Sequence, residues 1–154
     1  MKLEGGCYCG KVRYVAEGQP TLKAQCHCRE CQYISGGAPN MFMLVPPAGF
    51  TYVRGEPKQF SRSDFDNAVT REFCAECGTH LTTRRPGLNA VILKVGTLDD
   101  PSVFGSAQMA IFIERTLGTT TRRRRPASSG TYPSAPSARI SSSSCTRMES
   151  PVGA

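Results

Sequence analysis

Apolar and polar residues alternate in short stretches along the first two thirds of the chain, as they do in half-buried β-strands. The predicted strands are residues 11–15, 41–45, 50–53, 69–73, 79–83, 90–95 and 107–112. Glycine and proline punctuate these stretches, for example at Pro46 and Pro47. Only residues 29–34 have helical character, and two glycines follow them. The pattern therefore predicts a mainly β domain with at most one or two short helices.

The character of the chain changes near residue 113. Residues 114–154 contain four consecutive arginines at 122–125, several prolines and four consecutive serines at 141–144. Such a segment has too little apolar surface to offset the entropy lost on folding. We therefore expect one domain over residues 1–113 and a disordered, basic Ser/Pro/Arg-rich tail over residues 114–154.

Most of the net charge of +7 lies in this tail. Residues 1–113 carry 12 Lys and Arg against 10 Asp and Glu, whereas residues 114–154 carry 7 against 2. A basic tail can bind the phosphates of nucleic acids, but a solvated extension without function is the simpler interpretation. Translation of the segment out of frame is a third interpretation. The nearly neutral domain argues against nucleic acid as a partner.

Seven of the eight cysteines form three tight clusters, and these clusters carry the candidate chemistry. The clusters are Cys7 with Cys9, Cys26 with Cys28 and Cys31, and Cys74 with Cys77. Closely spaced thiolates are typical of metal ligands. Cys145 stands alone in the tail, and we expect it to be an inert thiol and not an eighth ligand.

Disulfides in a secreted protein are the alternative explanation of this cysteine content. The first residues offer no apolar stretch for a signal peptide, and no apolar run approaches the ~18 residues of a membrane span. We therefore expect a reduced, cytoplasmic, zinc-binding protein that has no membrane partner.

The first and third clusters predict one closed site. Cys7 and Cys9 point to the same side of an extended segment, because alternate residues of a strand share a face. Cys74, Cys77 and Gly78 are typical of a knuckle, in which glycine permits the tight turn after the second cysteine. Four thiolates complete a tetrahedron, so the predicted site is structural. Two unrelated pairs of buried free cysteines are the alternative.

The middle cluster offers only three sulfurs, from Cys26, Cys28 and Cys31. A zinc ion on three protein ligands keeps an open position, which is the arrangement of catalytic sites. His27 or His80 would close the site if either supplied a fourth ligand. We expect His27 to point away, because it lies between two ligands, and His80 to make an ordinary hydrogen bond.

The three motifs are Gly-Cys-Tyr-Cys-Gly at residues 6–10, Cys-His-Cys-Arg-Glu-Cys at 26–31 and Phe-Cys-Ala-Glu-Cys-Gly at 73–78. In this order they resemble the family of glutathione-dependent formaldehyde-activating enzymes, which includes the centromere protein V group. The resemblance covers residues 1 to about 112 and implies small coiled β-sheets around zinc, the Mss4-like fold. Beyond that point the family usually continues with aromatic-containing sequence, which this chain lacks.

The resemblance also implies two zinc ions per chain. The structural zinc is assigned to Cys7, Cys9, Cys74 and Cys77, and the catalytic zinc to Cys26, Cys28 and Cys31. The implied activity is that of a carbon–sulfur lyase of the S-hydroxymethylglutathione synthase type. Such an enzyme joins a thiol such as glutathione to a small aldehyde such as formaldehyde.

The residues that bind substrate are not identified by the sequence, and neither is the oligomeric state. Gln32, Tyr33 and Ser35 follow the middle cluster and could edge a pocket, and Arg84 with Arg85 could meet carboxylates. Packing, turn formation or solvation explains these residues more simply. Two other functions stay open: a non-catalytic zinc-stabilised protein-binding module, and a zinc-ribbon-like nucleic-acid binder that uses the arginines at 122–125.

Overall fold

The structure is a computed structural model, and it describes residues 1–117. The first strands are β1 (Lys2–Gly6), β2 (Arg13–Glu17), β3 (Leu22–Cys26), β4 (Asn40–Val45) and β5 (Phe50–Arg54). The later strands are β6 (Lys58–Phe60), β7 (Thr70–Phe73), β8 (His80–Arg84), β9 (Val91–Lys94) and β10 (Met109–Ile111). Helix α1 (Arg29–Ser35) lies between β3 and β4 in the chain. Single 3₁₀ turns form at Pro47–Gly49, Val95–Thr97, Pro101–Phe104 and Ile113–Arg115. The predicted mainly β class is confirmed.

The strands form two sheets. The small sheet has the order β1-β2-β5 and is antiparallel. The large sheet has the order β10-β3-β4-β9-β8-β7-β6, and only its β10–β3 pair is parallel. That parallel pair places the end of β10 beside Cys26, because Ile111 is in register with this cysteine. A late segment of the chain therefore lies next to the middle cysteine cluster.

The two faces of the large sheet have different surroundings. Met43 of β4 packs in the main core, which includes Tyr14 and Phe50 from the small sheet. Phe42 and its neighbours on the opposite face pack with Ala24 and the middle cysteine cluster. Alternate residues of one strand thus serve two separate apolar clusters, as the strand period requires. The middle cysteine cluster therefore lies on the second face.

Three strands were missed by the hydrophobic pattern, namely β1, β3 and β6. Each is short: β1 contains Gly5 and Gly6, β6 is fully exposed, and β3 alternates apolar and polar residues over only five positions. The strand predicted over 107–112 is shorter, because Phe112 adopts a left-handed backbone conformation with φ of 55° that ends it. The first predicted strand, 11–15, is shifted to β2, because Cys7 N–H donates to Val12 O and closes a turn there.

The proposed tail falls almost wholly outside the described residues. The expectations for Cys145 and for the arginines at 122–125 therefore stay predictions, as does the division of the chain at residue 113. Of the predicted tail, residues 114–117 are described, and Arg115 and Thr116 contact the domain. Within residues 1–117, the structure contains no helix with the length and apolarity that crossing a bilayer requires.

Candidate metal centres and the adjoining cleft

The sulfur atoms of Cys7, Cys9, Cys74 and Cys77 lie within 4.8 Å of one another. The distance is 3.5 Å between the sulfurs of Cys7 and Cys9, and 3.7 Å between those of Cys9 and Cys74. A tetrahedral zinc site with Zn–S bonds of ~2.3 Å places its sulfurs ~3.8 Å apart. The four donors therefore fit a zinc ion in both number and spacing.

Two backbone turns present these sulfurs. At the third cluster, Gly78 N–H donates to Cys74 O at 2.9 Å, and Gly78 has a φ of 69°. At the first, Gly10 N–H donates to Cys7 O at 3.0 Å, and Gly10 has a φ of 75°. A residue with a Cβ is strained at these values of φ, which explains why glycine follows the second cysteine of both pairs.

Thr79 joins the two turns across more than 70 residues of sequence. Its hydroxyl accepts a hydrogen bond from Tyr8 N–H at 3.1 Å and lies 3.2 Å from the Cys77 sulfur. The hydroxyl and the N–H of Thr79 lower the pKa of Cys77 to about 5. Metal binding requires the thiolate, so this environment favours a metal-binding state at neutral pH.

The three sulfurs of Cys26, Cys28 and Cys31 also lie within 4.8 Å of one another. Cys26 ends β3, and Cys28 is the N-cap of α1, where its sulfur accepts a hydrogen bond from Cys31 N–H at 3.4 Å. The helix start thus folds the third sulfur back onto the first two. Soft thiolate donors at this spacing fit zinc, so the chain has two candidate metal centres.

The environments of the three thiols differ. Burial raises the pKa of Cys26 and of Cys31. Burial also acts to raise the pKa of Cys28, but the N–H of Cys31 and the neighbouring thiols outweigh it, and the pKa of Cys28 is lowered. Among the three thiols, Cys28 is therefore the one whose surroundings favour the thiolate.

Neither histidine belongs to the three-sulfur group in the described part of the chain. His27 Nδ1 lies 2.8 Å from the Thr116 hydroxyl, and its Nε2 is buried without a hydrogen-bond partner among residues 1–117. His80 Nε2 lies 2.8 Å from Thr82 O. The expectation that His27 points away from the cluster and that His80 makes an ordinary hydrogen bond agrees with this geometry.

Gln32 connects the loop of residues 26–31, here the cysteine loop, to the segment that follows β10. Its side-chain amide donates to His27 O at 3.0 Å and to Arg115 O at 2.7 Å. The side chain is only 5% exposed, so Gln32 supports the loop from within and does not edge the pocket as the sequence allowed. The spacing of residues gave no sign of this role, because Arg115 lies 83 positions away.

A cleft of about 510 Å³ opens beside the three sulfurs. One side is apolar and is formed by Leu22, Phe42, Leu44, Ile92 and Ile111. The charged groups that line it are Arg29, Glu30, Arg71, Arg85, Lys94 and Arg115. Five cations against one carboxylate give the cleft a positive field that attracts anions.

Of the substrate residues considered from sequence, only Arg85 lines the cleft. Arg84 instead reaches the buried carboxylate of Glu72 at 3.4 Å, and Tyr33 is exposed. Lys94 was not predicted as a residue of the site, although its position at the end of the apolar strand β9 is a signal that the sequence contains. Burial lowers the pKa of Lys94 to about 8, while the charges of the nearby cysteines act in the opposite direction.

Comparisons with known proteins identify the fold and the family of this chain. A structure of a Rhodobacter sphaeroides protein is similar to this chain, with a TM-score of 0.55 and 18% sequence identity. The match covers 70% of this chain and 98% of that chain, and at such identity it supports the fold alone. No curated protein matches the sequence significantly. A family model described as glutathione-dependent formaldehyde-activating enzyme matches residues 2–115, which is well over half of the chain. The chain therefore belongs to the family of glutathione-dependent formaldehyde-activating enzymes.

Proposed function

We propose that this protein is a zinc-dependent enzyme of the carbon–sulfur lyase type. It joins a thiol such as glutathione to a small aldehyde such as formaldehyde, as an S-hydroxymethylglutathione synthase does. The observation that carries the proposal is the position of Cys26, Cys28 and Cys31, whose three sulfurs lie together on the wall of a cationic cleft. Membership of the family supports the reaction class.

The two cysteine groups have different roles in this proposal. Cys7, Cys9, Cys74 and Cys77 hold a structural zinc, and Cys26, Cys28 and Cys31 hold a catalytic one. Zinc on three protein ligands supplies an open position and keeps a thiol in its reactive thiolate form at neutral pH. The four-sulfur group has no comparable position, since its four donors complete the tetrahedron.

The residues of the cleft bind and orient the reactants. In the reaction the thiol sulfur forms a bond to the aldehyde carbon, the carbonyl double bond becomes a single bond, and the thiol proton ends on the new hydroxyl. The apolar side of the cleft excludes water from the reacting atoms, which strengthens electrostatic interactions there. The cations that line the cleft attract a thiol that carries carboxylates, as glutathione does.

One further feature supports this proposal over a non-catalytic binding module. A structural role requires no cleft beside a metal group, whereas an enzyme does. The seven cysteines of the described residues are all free, as a reducing compartment such as the cytoplasm would keep them. The proposal also places the protein in the cytoplasm and treats residues 114–154 as a solvated tail.

The test is the rate at which free and thiol-bound aldehyde interconvert, measured by two-dimensional exchange NMR on zinc-loaded protein. Catalysis should accelerate the exchange in proportion to protein concentration. The Cys28→Ser variant should lose this acceleration and one of its two zinc ions, yet stay folded. Serine is a good N-cap, so the start of α1 is preserved while the sulfur is removed.

The Cys145→Ser variant is the matched control, since it removes a thiol from the tail and should change neither rate nor zinc content. The proposal is wrong if Cys28→Ser exchanges as fast as the wild type. It is equally wrong if Cys28→Ser destabilises the domain as much as Cys74→Ser, because the middle site would then be structural.

A further inference from the structure

Lys94 places a charged group on the same side of the sheet as the three sulfurs. It is separated from Ile92 by one residue of β9, so both side chains face the second apolar cluster. In β4 its register partner is Phe42, which belongs to that cluster. Lys94 is 7% exposed and lines the cleft together with Cys26, Cys28 and Cys31.

The ammonium group of Lys94 has no ion-pair or hydrogen-bond partner within residues 1–117. Two other cations of the cleft are engaged: Arg71 pairs with Glu30 at 2.9 Å, and Arg29 stacks over the ring of Tyr33 at 4.2 Å. Burial disfavours the charged form of Lys94, and the charges of the three nearby cysteines oppose that effect. Because Lys94 lines the cleft and is not held in an ion pair within residues 1–117, an anionic group of a bound ligand can meet it there.

We propose that Lys94 is a specificity-determining residue that anchors a carboxylate of the ligand bound beside Cys26, Cys28 and Cys31. This inference rests on the proposed function, since it assumes that a thiol occupies the cleft. Lysine binds such a group as a compact point charge. The apolar residues around it keep the charge partly dehydrated, which strengthens its attraction to an anion. The cleft therefore selects anionic thiols over neutral ones of the same size.

A second explanation is that Lys94 only offsets the negative charge of three thiolates. Lys94 donates no hydrogen bond to any of the three sulfurs, so it is not fixed on them. The two explanations differ in what loss of the charge does. If Lys94 is an anchor, loss of its charge weakens the binding only of ligands that carry an anion. If it is a compensating charge, its loss weakens the binding of every thiolate ligand and also the affinity for the metal.

The experiment compares two probes on cobalt-substituted protein: 3-mercaptopropionate and its neutral isostere 3-mercaptopropionamide. Binding of each thiol is followed by the sulfur-to-cobalt absorption band, which requires no turnover. The variants are Lys94→Met, which keeps the length of the side chain without its charge, and Lys58→Met. Lys58 is exposed on β6 and does not line the cleft, so it controls for the change in net charge.

We expect the wild type and Lys58→Met to bind the carboxylate probe about 10-fold more tightly than the amide, the range of a charged hydrogen bond. Lys94→Met should lose this preference, with amide binding within about twofold of the wild type. Equal binding of both probes by the wild type overturns the anchor, as does a preference that persists in Lys94→Met. Equal weakening of both probes in that variant, with weaker cobalt binding, identifies a compensating charge instead.

The wild-type comparison tests the anchor even if Lys94→Met does not fold. If neither thiol changes the cobalt spectrum of the wild type, the proposed function fails and this inference fails with it. If both bind equally well, only the anchor is wrong. The two failures are thus distinguishable.

Discussion

Replacement of Gln32 by leucine tests whether the cysteine loop is held by contacts distant in sequence. The side-chain amide of Gln32 donates to His27 O within the loop and to Arg115 O beyond β10. Leucine has nearly the same volume but cannot donate. The Gln32→Leu variant therefore leaves two carbonyl oxygens without these partners while it preserves packing.

The expected cost follows from these two hydrogen bonds. Each contributes ~0.5–1.5 kcal/mol, and a buried acceptor left without a donor adds its desolvation penalty of ~1–3 kcal/mol. Gln32 as a residue is 5% exposed, so water does not replace its amide at little cost. Since leucine regains some apolar burial, we expect the free energy of unfolding to fall by about 2–4 kcal/mol.

The measurement is urea denaturation of zinc-loaded protein at a fixed free zinc concentration, because metal binding contributes to the apparent stability. Gln19→Leu makes the same chemical change at an exposed position and should alter stability by less than about 0.5 kcal/mol. Equal stabilities of Gln32→Leu and Gln19→Leu would refute the idea that Gln32 ties the two segments together.

Three further predictions concern stability. Gly5→Ala should lower the free energy of unfolding by about 1–3 kcal/mol in urea melts, because a Cβ there would lie 2.3 Å from Thr97 O. A variant as stable as the wild type would contradict this prediction. Burial acts to raise the pKa of Glu72. The Thr82 hydroxyl and the charge of Arg84 contribute to an opposite effect that is larger, so the pKa of Glu72 is lowered below 4.5. The carboxylate therefore stabilises the fold above the unfolded pKa, and this contribution is lost as the pH falls through the folded value. The stability difference between wild type and Glu72→Gln should narrow below pH 4.5, and a constant difference would contradict the assignment. A strong chelator should release zinc from the three-sulfur group before the four-sulfur group. Circular dichroism should therefore show an intact fold after loss of the first ion. Simultaneous loss of metal and fold would contradict the division of roles.

Much of the metal chemistry is local, and the sequence by itself predicted it. The spacing of Cys26, Cys28 and Cys31 brings their sulfurs together through the end of one strand and the first turn of a helix. The pairs Cys7 with Cys9 and Cys74 with Cys77 are also local motifs. Their union in one group followed from counting ligands, because each pair offers only two of the four sulfurs that a closed zinc site needs.

The cleft could not be predicted in this way, because its residues come from distant strands. Lys94 reaches the cysteine cluster only through the pairing of β9 with β4 and of β4 with β3. β3 itself is only five residues long, and its pairing with β4 and β10 fixes its place in the sheet. Gln32 likewise acts through Arg115, which the parallel β10–β3 pair brings close.

Short-range spacing therefore determined which residues can hold metal, since one or two intervening residues leave the backbone few conformations. Only the tertiary structure decided what surrounds the cysteine groups, since strand register sets which side chains share a face and a shift of one residue would exchange the two faces. The charge and shape of the cleft, and with them the choice of ligand, depend on that register.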